Sequence, residues 1–300
     1  MQRIGKDVIY FETGAGNPVT HRVRVGETFE VETQINAGPW MDELPEPQRA
    51  ATYRRLSGPN PASGCIHVEG VKPGDLLGVE IGPIELDPVG YTRFGGNNGA
   101  MPGWMDIGAH HRVVRVEGGQ VLWDDRLRIP VRPMLGFVGV APRNRECYDN
   151  AWGGYWGGNM DAPDVCPGTT LLLRAFHEGA LLHIGDLHAL QGDGEICGAG
   201  GIEAGGRAKI TCRILGRASD THRFPRFENQ THVGVIANAR PAEDAFRTAL
   251  CELLRWLTES YRLALGDAYL LLGQVLEARC TQFVNPTFTY VAKVEKRYLP

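Results

Sequence analysis

Glycine and proline set the first constraint on this chain. Its 300 residues include 39 Gly and 19 Pro, about a fifth of the whole against roughly an eighth in average usage. Glycine weakens a helix interior and proline breaks it, so the composition argues against a long helical bundle and for many short elements joined by turns. With 43% hydrophobic residues the chain has enough apolar surface for one large core or two smaller ones, which excludes disorder. The formal charge of -4 leaves no broad basic surface, so no nucleic acid is expected as a partner. No apolar run approaches the roughly 20 residues of a membrane span, and residues 1–10 carry charges where a signal peptide needs an apolar centre. A cytoplasmic protein without membrane contact is the expectation. The seven cysteines form no C-x-x-C pair and are odd in number, which points to buried reduced thiols.

The pattern along the chain predicts a mainly β (α+β) fold: an antiparallel β-sandwich or barrel with a C-terminal α+β portion. Residues 21–29 alternate, with Val23 and Val25 opposite Arg22 and Arg24, as a half-buried strand does. Further strands are expected at 76–84, 113–116 and 120–123, with Pro/Gly/Asn-rich loops at 36–47, 57–64 and 95–103. Two apolar runs, 169–176 and 180–184, flank His177, Glu178 and Gly179 and read as a hairpin. After Asn238 the character changes. Pro241 suits a first helical turn, Glu243 and Asp244 add negative charge there, and Phe246, Leu250, Leu253, Leu254 and Leu257 recur at helical spacing. A second helix is expected at 267–278 and a final extended segment at 287–296. These shifts divide the chain into a β-rich portion, 1–140, and a portion, 141–300, that carries the chemical motifs and the helices.

The chemistry concentrates in residues 183–203, H-I-G-D-L-H-A-L-Q-G-D-G-E-I-C-G-A-G-G-I-E. On an extended strand Asp186 and His188 share one face and His183 and Leu187 the other. Asp186 and His188 can then chelate one metal ion. Carboxylate oxygen and imidazole nitrogen, with one or two more ligands from a neighbouring strand, suit zinc or manganese, whereas an oxygen-only shell would suit calcium or magnesium. The glycines around Asp193 allow a tight turn that returns Glu195 close to the strand it left. A second polar cluster, G-G-Y-W-G-G-N-M-D at 153–161, puts Asn159 and Asp161 on one face. A third, C-I-H-V-E-G at 65–70, presents His67 either as a ligand or as a satisfied strand histidine. The four serines lie in no G-x-S-x-G elbow, and no phosphate-binding glycine loop appears, so neither a serine nucleophile nor a nucleotide cofactor is expected.

The runs G-G-N-M-D (157–161), G-D-L-H (185–188), Q-G-D-G-E (191–195) and Ile202-Glu203 together resemble the acetamidase/formamidase family. The likeness extends to G-V-K-P-G-D at 70–75, P-M-L-G at 133–136 and Asp267-Ala268-Tyr269. Two departures are Gly200-Gly201 before Ile202-Glu203, where the family has a small residue and alanine, and Gly64-Cys65, where it has Gly-Pro. The resemblance implies a mostly β homo-oligomer, dimer or tetramer, that hydrolyses small linear amides such as formamide or acetamide, or a related lactam, with a divalent metal, zinc first and calcium or magnesium as alternatives. On that reading Asp186 and His188 hold the metal with Glu203 or His67 completing the shell. Glu195 is the general base and then acid, Glu203 being the alternative in that role, and Asn159 donates to the oxyanion. Asp161, Gln191, Asp193 and Trp156 face the substrate, although Trp156, with Trp152 and Tyr155, equally suits a core or a subunit interface. Two other readings stay open from the residues: a non-haem iron oxygenase, because Asp-x-His also occurs in facial triads, and a β-sandwich binding module stabilised by calcium.

Overall fold

The computed structural model describes residues 1–95 and 98–300. Of the loop expected at 95–103, Gly96 and Asn97 lie outside the described residues. Strand predominates over helix, 44% to 15%, and the main sheet curls into an antiparallel half-barrel, as the turn-rich composition implied.

The frame is a long antiparallel pair. Among the strands that position the site are β1 (Thr28–Thr33), β2 (Ala62–Glu69), β3 (Asp75–Phe94), β4 (His110–Glu117), β5 (Met134–Gly139), β6 (Gly157–Asn159), β7 (Thr170–Arg174), β8 (Leu182–His188) and β9 (Ala199–Arg217). β3 and β9 pair from Asp75 opposite Arg217 to Arg93 opposite Ala199, and four register irregularities bend the ladder. β9 was not anticipated as a strand because Gly200, Gly201, Gly205 and Gly206 depress β-propensity. The structure gives Gly206 a reason: a Cβ there would stand 2.2 Å from the Glu85 carbonyl oxygen. β1 lies along the other side of β9, and β4 along the far half of β3; a short helix, α1 (Gln48–Arg55), lies between β1 and β2 in the chain.

β8 is buried at every residue and touches three neighbours: β5 throughout, β2 near its start and β9 at its end. β7 pairs instead with β3 and with β10 (Arg226–Glu228). The hairpin expected from 169–176 and 180–184 is therefore not formed, although both runs are strands. Ala180 and Leu181 both adopt positive φ, at 57° and 58°, and the chain between β7 and β8 carries on to different strand partners. The single strand expected at 21–29 is also divided, into His21–Arg24 and β1, by a turn with Gly26 at φ 83°. Strands from the two portions share one sheet: β1, β2 and β3 pair with β9, β8 and β7.

Beyond β10 the sheet continues through β11 (His232–Ala239), β13 (Phe288–Glu295) and β12 (Glu277–Gln282). The helix α2 (Ala242–Ser260) buries Ala245, Ala249, Leu253, Trp256 and Leu257 at helical spacing and packs the last four with Val233, Val235, Ala292 and Val294 of that sheet. The second helix expected at 267–278 is shorter, α3 (Leu265–Val275), and the chain turns extended again at Glu277. All seven cysteines are unpaired; Cys65 and Cys212 are buried, while Cys147 and Cys251 are exposed, unlike the uniform burial expected. Among the described residues no helix is long and apolar enough to cross a membrane.

His222, buried beside β7, donates from Nε2 to the Leu172 carbonyl at 3.2 Å; burial, then the Arg226 and Arg174 charges, push its imidazole down to about 3. The ring stays neutral in the folded chain but takes a proton near pH ~6.5 when unfolded. Its contribution to stability is complete above that pH and is lost as the pH falls from there towards 3. Urea unfolding at pH 7 and 5 should show wild type losing about 2 kcal/mol more than His222→Gln between the two. Equal losses would remove this ring from the acid response.

Candidate active site

The end of β8 carries the centre of the site. His188 lies opposite Glu203 of β9, and its Nε2 is 3.3 Å from Glu203 Oε1 and 3.5 Å from Asp186 Oδ1. Asp161, just after β6, and Glu195 complete the group. The ligating atoms of His188, Glu195 and Glu203 lie within 4.8 Å of one another, as do those of Asp161, Asp186 and His188. All five residues are buried. Asp161, Asp186 and Glu195 each hold a positive φ, at 42°, 51° and 43°. Side chains other than glycine seldom adopt this conformation, and such strained residues gather at functional sites. Asp186 therefore does not reach His188 by regular strand alternation; a local backbone twist brings the two together.

Gln191 orients His188. Its Nε2 donates to the carbonyls of Asp161 at 2.8 Å and Thr281 at 3.0 Å, so its Oε1 must face His188 Nδ1, 2.9 Å away. That oxygen only accepts, hence Nδ1 carries the proton and the lone pair of a neutral ring is on Nε2. Among the described residues Nε2 makes no hydrogen bond, and neither does Glu195 Oε2. The turn carrying Glu195 is pinned from outside: Asp193 Oδ1 is 3.1 Å from Arg279 Nε, and the Gly194 carbonyl accepts from Phe283 N at 2.9 Å.

Four buried carboxylates face one imidazole. Burial, and then the neighbouring carboxylates, push Asp161 well above the usual range, Glu195 up to about 8, and Glu203 upward. Burial is the largest influence on Asp186 and acts the same way, but the His188 charge together with the adjoining polar side chains of His188, Asp161 and Glu203 outweighs it and holds that carboxyl low. Burial works against a charged His188, yet Glu203 and Asp186 together drive its imidazole well above its ordinary value. Among the described residues these carboxyl groups are hydrogen-bonded by amides rather than by Arg or Lys. Asn36 donates to Asp186 Oδ1 and to Glu203 Oε2, each at 2.8 Å, and Asn285 donates to Asp161 Oδ2. With its Nδ2 turned towards the carboxylates, Asn159 lies 3.1 Å from Asp186 Oδ2 and 3.1 Å from Asp161 Oδ2. Nitrogen and oxygen donors, an unpartnered imidazole nitrogen and uncompensated negative charge together fit a divalent cation.

Asp186, His188, Glu195, Glu203, Asn159, Asp161 and Gln191 are thus brought together, and three other expected residues are not. His67 packs beneath Gly179, whose Cβ would stand 2.3 Å from the ring, and belongs to neither ligand group. Asp193 turns outward to Arg279, with 58% of its side chain exposed. Trp156 is buried and stacks on Tyr148, with ring centroids 4.1 Å apart, as a core residue. Sequence reading missed Asn36, Asn60, Asn285 and Arg279. Asn36 precedes Ala-Gly-Pro and Asn285 precedes Pro286, which mark them only as loop residues.

The model of the acetamidase/formamidase family matches residues 153–286. A solved acetamidase from Bacillus halodurans is 29% identical over 99% of this chain and 98% of its own, with a TM-score of 0.87. Over residues 153–286 the chain is similar to the acetamidase/formamidase family, and over nearly its whole length it shares the fold of this acetamidase. A Yersinia enterocolitica acetamidase, 27% identical and covering 99% of this chain and 92% of its own, superposes with a TM-score of 0.81. Matches to curated relatives are closer but short. An acetamidase of Mycolicibacterium smegmatis is 50% identical over 66 residues, 22% of this chain and 16% of that protein. A Schizosaccharomyces pombe relative is 48% identical over 59 residues, 20% of this chain and 14% of its own length. The family match contains all four carboxylates and His188, while Asn36 and Asn60 lie outside it.

Glycine at position 136 is what lets this cluster of carboxylates close. A Cβ there would lie 2.5 Å from Asp161 Oδ1 and 2.6 Å from Asp186 Oδ2, whereas Gly192 has open space around it. Gly136→Ala should lower unfolding stability by about 1–3 kcal/mol through overpacking, and Gly192→Ala should stay within about 0.5 kcal/mol of wild type. Denaturant titration of the two variants checks this, and equal stabilities would mean that the carboxylates yield freely.

Proposed function

We propose that the chain is an amidase that hydrolyses small linear amides of the formamide or acetamide kind to a carboxylate and ammonia with the help of a divalent metal, zinc first. The observation that carries this reading is the unpartnered His188 Nε2 set among Asp186, Glu203 and Glu195 in a stretch that matches the acetamidase/formamidase family model. Asp186, His188 and Glu203 would hold the metal; their mixed nitrogen and oxygen donors favour zinc or manganese over calcium or magnesium. Bound there, it would polarise the amide carbonyl and lower the pKa of water towards about 7. Glu195 Oε2, buried and free of hydrogen bonds, takes a proton from the attacking water as the carbon–oxygen bond forms. The same oxygen returns that proton to the departing nitrogen as the carbon–nitrogen bond breaks, and ammonia leaves. The rise of Glu195 to about 8 by burial suits a group that accepts and releases one proton near neutrality. Asn159 Nδ2 turns one of its two hydrogens from the carboxylates to the oxyanion, and Gln191 keeps His188 in one tautomer.

A facial-triad iron site needs two imidazoles. Among the described residues His188 is the single histidine of the ligand groups around Glu203 and Asp186, since His183 turns its Nε2 to Asn17 at 3.0 Å. A homo-oligomer in the cytoplasm completes the reading on the family resemblance, and exposed Trp104, Met105, Ile107 and Ile196 offer apolar surface of the kind that subunit contacts cover.

Ammonia release from formamide, acetamide and a lactam, before and after chelator and with zinc restored, tests the proposal. Turnover should disappear with chelator and return with zinc. Glu195→Gln should keep the metal yet lose about 10²–10⁴-fold in kcat, while Asp186→Ala should lose both metal and turnover. No ammonia from any amide would sink the assignment.

A further inference from the structure

Asn36 lies outside every motif read from the sequence, yet it contacts two of the four carboxylates of the site. Its Nδ2 is 2.8 Å from Asp186 Oδ1, 2.8 Å from Glu203 Oε2 and 2.9 Å from Asn60 Oδ1. An amide nitrogen has two hydrogens, and the two shortest contacts are to the carboxylates. Each end of the Glu203 carboxylate then has a fixed environment: Oε2 takes the amide proton, while Oε1 faces His188 Nε2 at 3.3 Å.

The backbone around Asn36 is held as well. Trp40 Nε1 donates to the Asn36 carbonyl at 2.7 Å, and the Tyr91 hydroxyl donates to the Ala37 carbonyl at 2.9 Å. Gly38 lies so close under the Tyr91 ring that a Cβ would stand 2.3 Å from Cζ. Tyr91 is the β3 residue opposite Glu203 in the ladder, so the segment carrying Asn36 is clamped to the strand pair that carries Glu203.

The donor type matters. An Arg or Lys at this place would fix the carboxylates but also neutralise them and repel a second cation; an amide fixes them and leaves their charge intact. We infer that Asn36 is a positioning residue that holds Glu203 and Asp186 in the rotamers required for metal binding and thereby sets the metal affinity. This rests on the metal-dependent reading above. Partners that orient ligands in this way typically contribute about 10–100-fold to metal affinity.

Competition between the metal-stripped protein and a chromophoric chelator for zinc tests the inference without measuring turnover. Asn36→Ala should bind zinc about 10–100-fold more weakly than wild type. Its cobalt-substituted form should show a shifted visible absorption band, since the carboxylates are no longer fixed. Trp40→Phe keeps every group around the metal but frees the Asn36 carbonyl, and should weaken zinc in the same direction by a smaller factor. It carries the test if Asn36→Ala does not fold. Zinc affinities within about twofold of wild type in the folded variants, with an unchanged cobalt spectrum, overturn the role of Asn36. Failure of the wild-type protein itself to bind zinc or cobalt is a separate outcome: it overturns the metal reading, and this role with it.

Discussion

Four carboxylates buried around one imidazole are the arrangement on which the rest of the structure depends. Burying even one unpaired carboxylate costs several kcal/mol, roughly, unless it is protonated, hydrogen-bonded or bound to a cation. The protein uses hydrogen bonds without adding basic side chains: Asn36 serves Asp186 and Glu203, Asn285 serves Asp161, and the Gly200 amide serves Glu195. Negative charge is thereby concentrated rather than cancelled. A site of this kind favours a cation, and it positions a proton-shuttling carboxylate beside it.

Holding such a group together requires backbone in places where side chains do not fit. Gly136 lets two aspartates approach one strand, and a Cβ at Gly201 would lie 2.5 Å from His188 Nδ1. The left-handed conformations of Asp161, Asp186 and Glu195 complete the convergence. The cost of that strain is met by the surrounding sheet: β8 is enclosed by three strands, and the cluster of Ile66, Leu135, Ile184 and Leu187 packs around it. The helical layer of α2 and α3 has its own core with β11 and β13 and leaves the site to the curled sheet.

Much of this was legible before any coordinates. The glycine and proline content gave a mostly β chain, the spacing of Leu250, Leu253, Leu254 and Leu257 gave α2, and residues 157–203 contained the four carboxylates, His188, Asn159 and Gln191. Reading failed where a residue's role is fixed by something distant in sequence. Asn36 is 150 residues from Asp186, and its neighbours give it only the signature of a loop. His67 had an inviting pattern but meets Gly179 rather than the acids. The pairing of 169–176 with 180–184 failed for the same reason, because adjacency in sequence does not decide which strand is a neighbour in the sheet.

The sequence by itself determined the local terms: turn density, helical periodicity, and a short stretch in which carboxylates, histidine and glycine recur at close spacing. These follow from backbone preferences and side-chain chemistry within a few residues. Tertiary structure alone decided which acids share one imidazole, which tautomer that imidazole adopts, and which neutral amides hold them. Those depend on hydrogen bonds between strands far apart in the chain, where geometry and not proximity in sequence selects the partner.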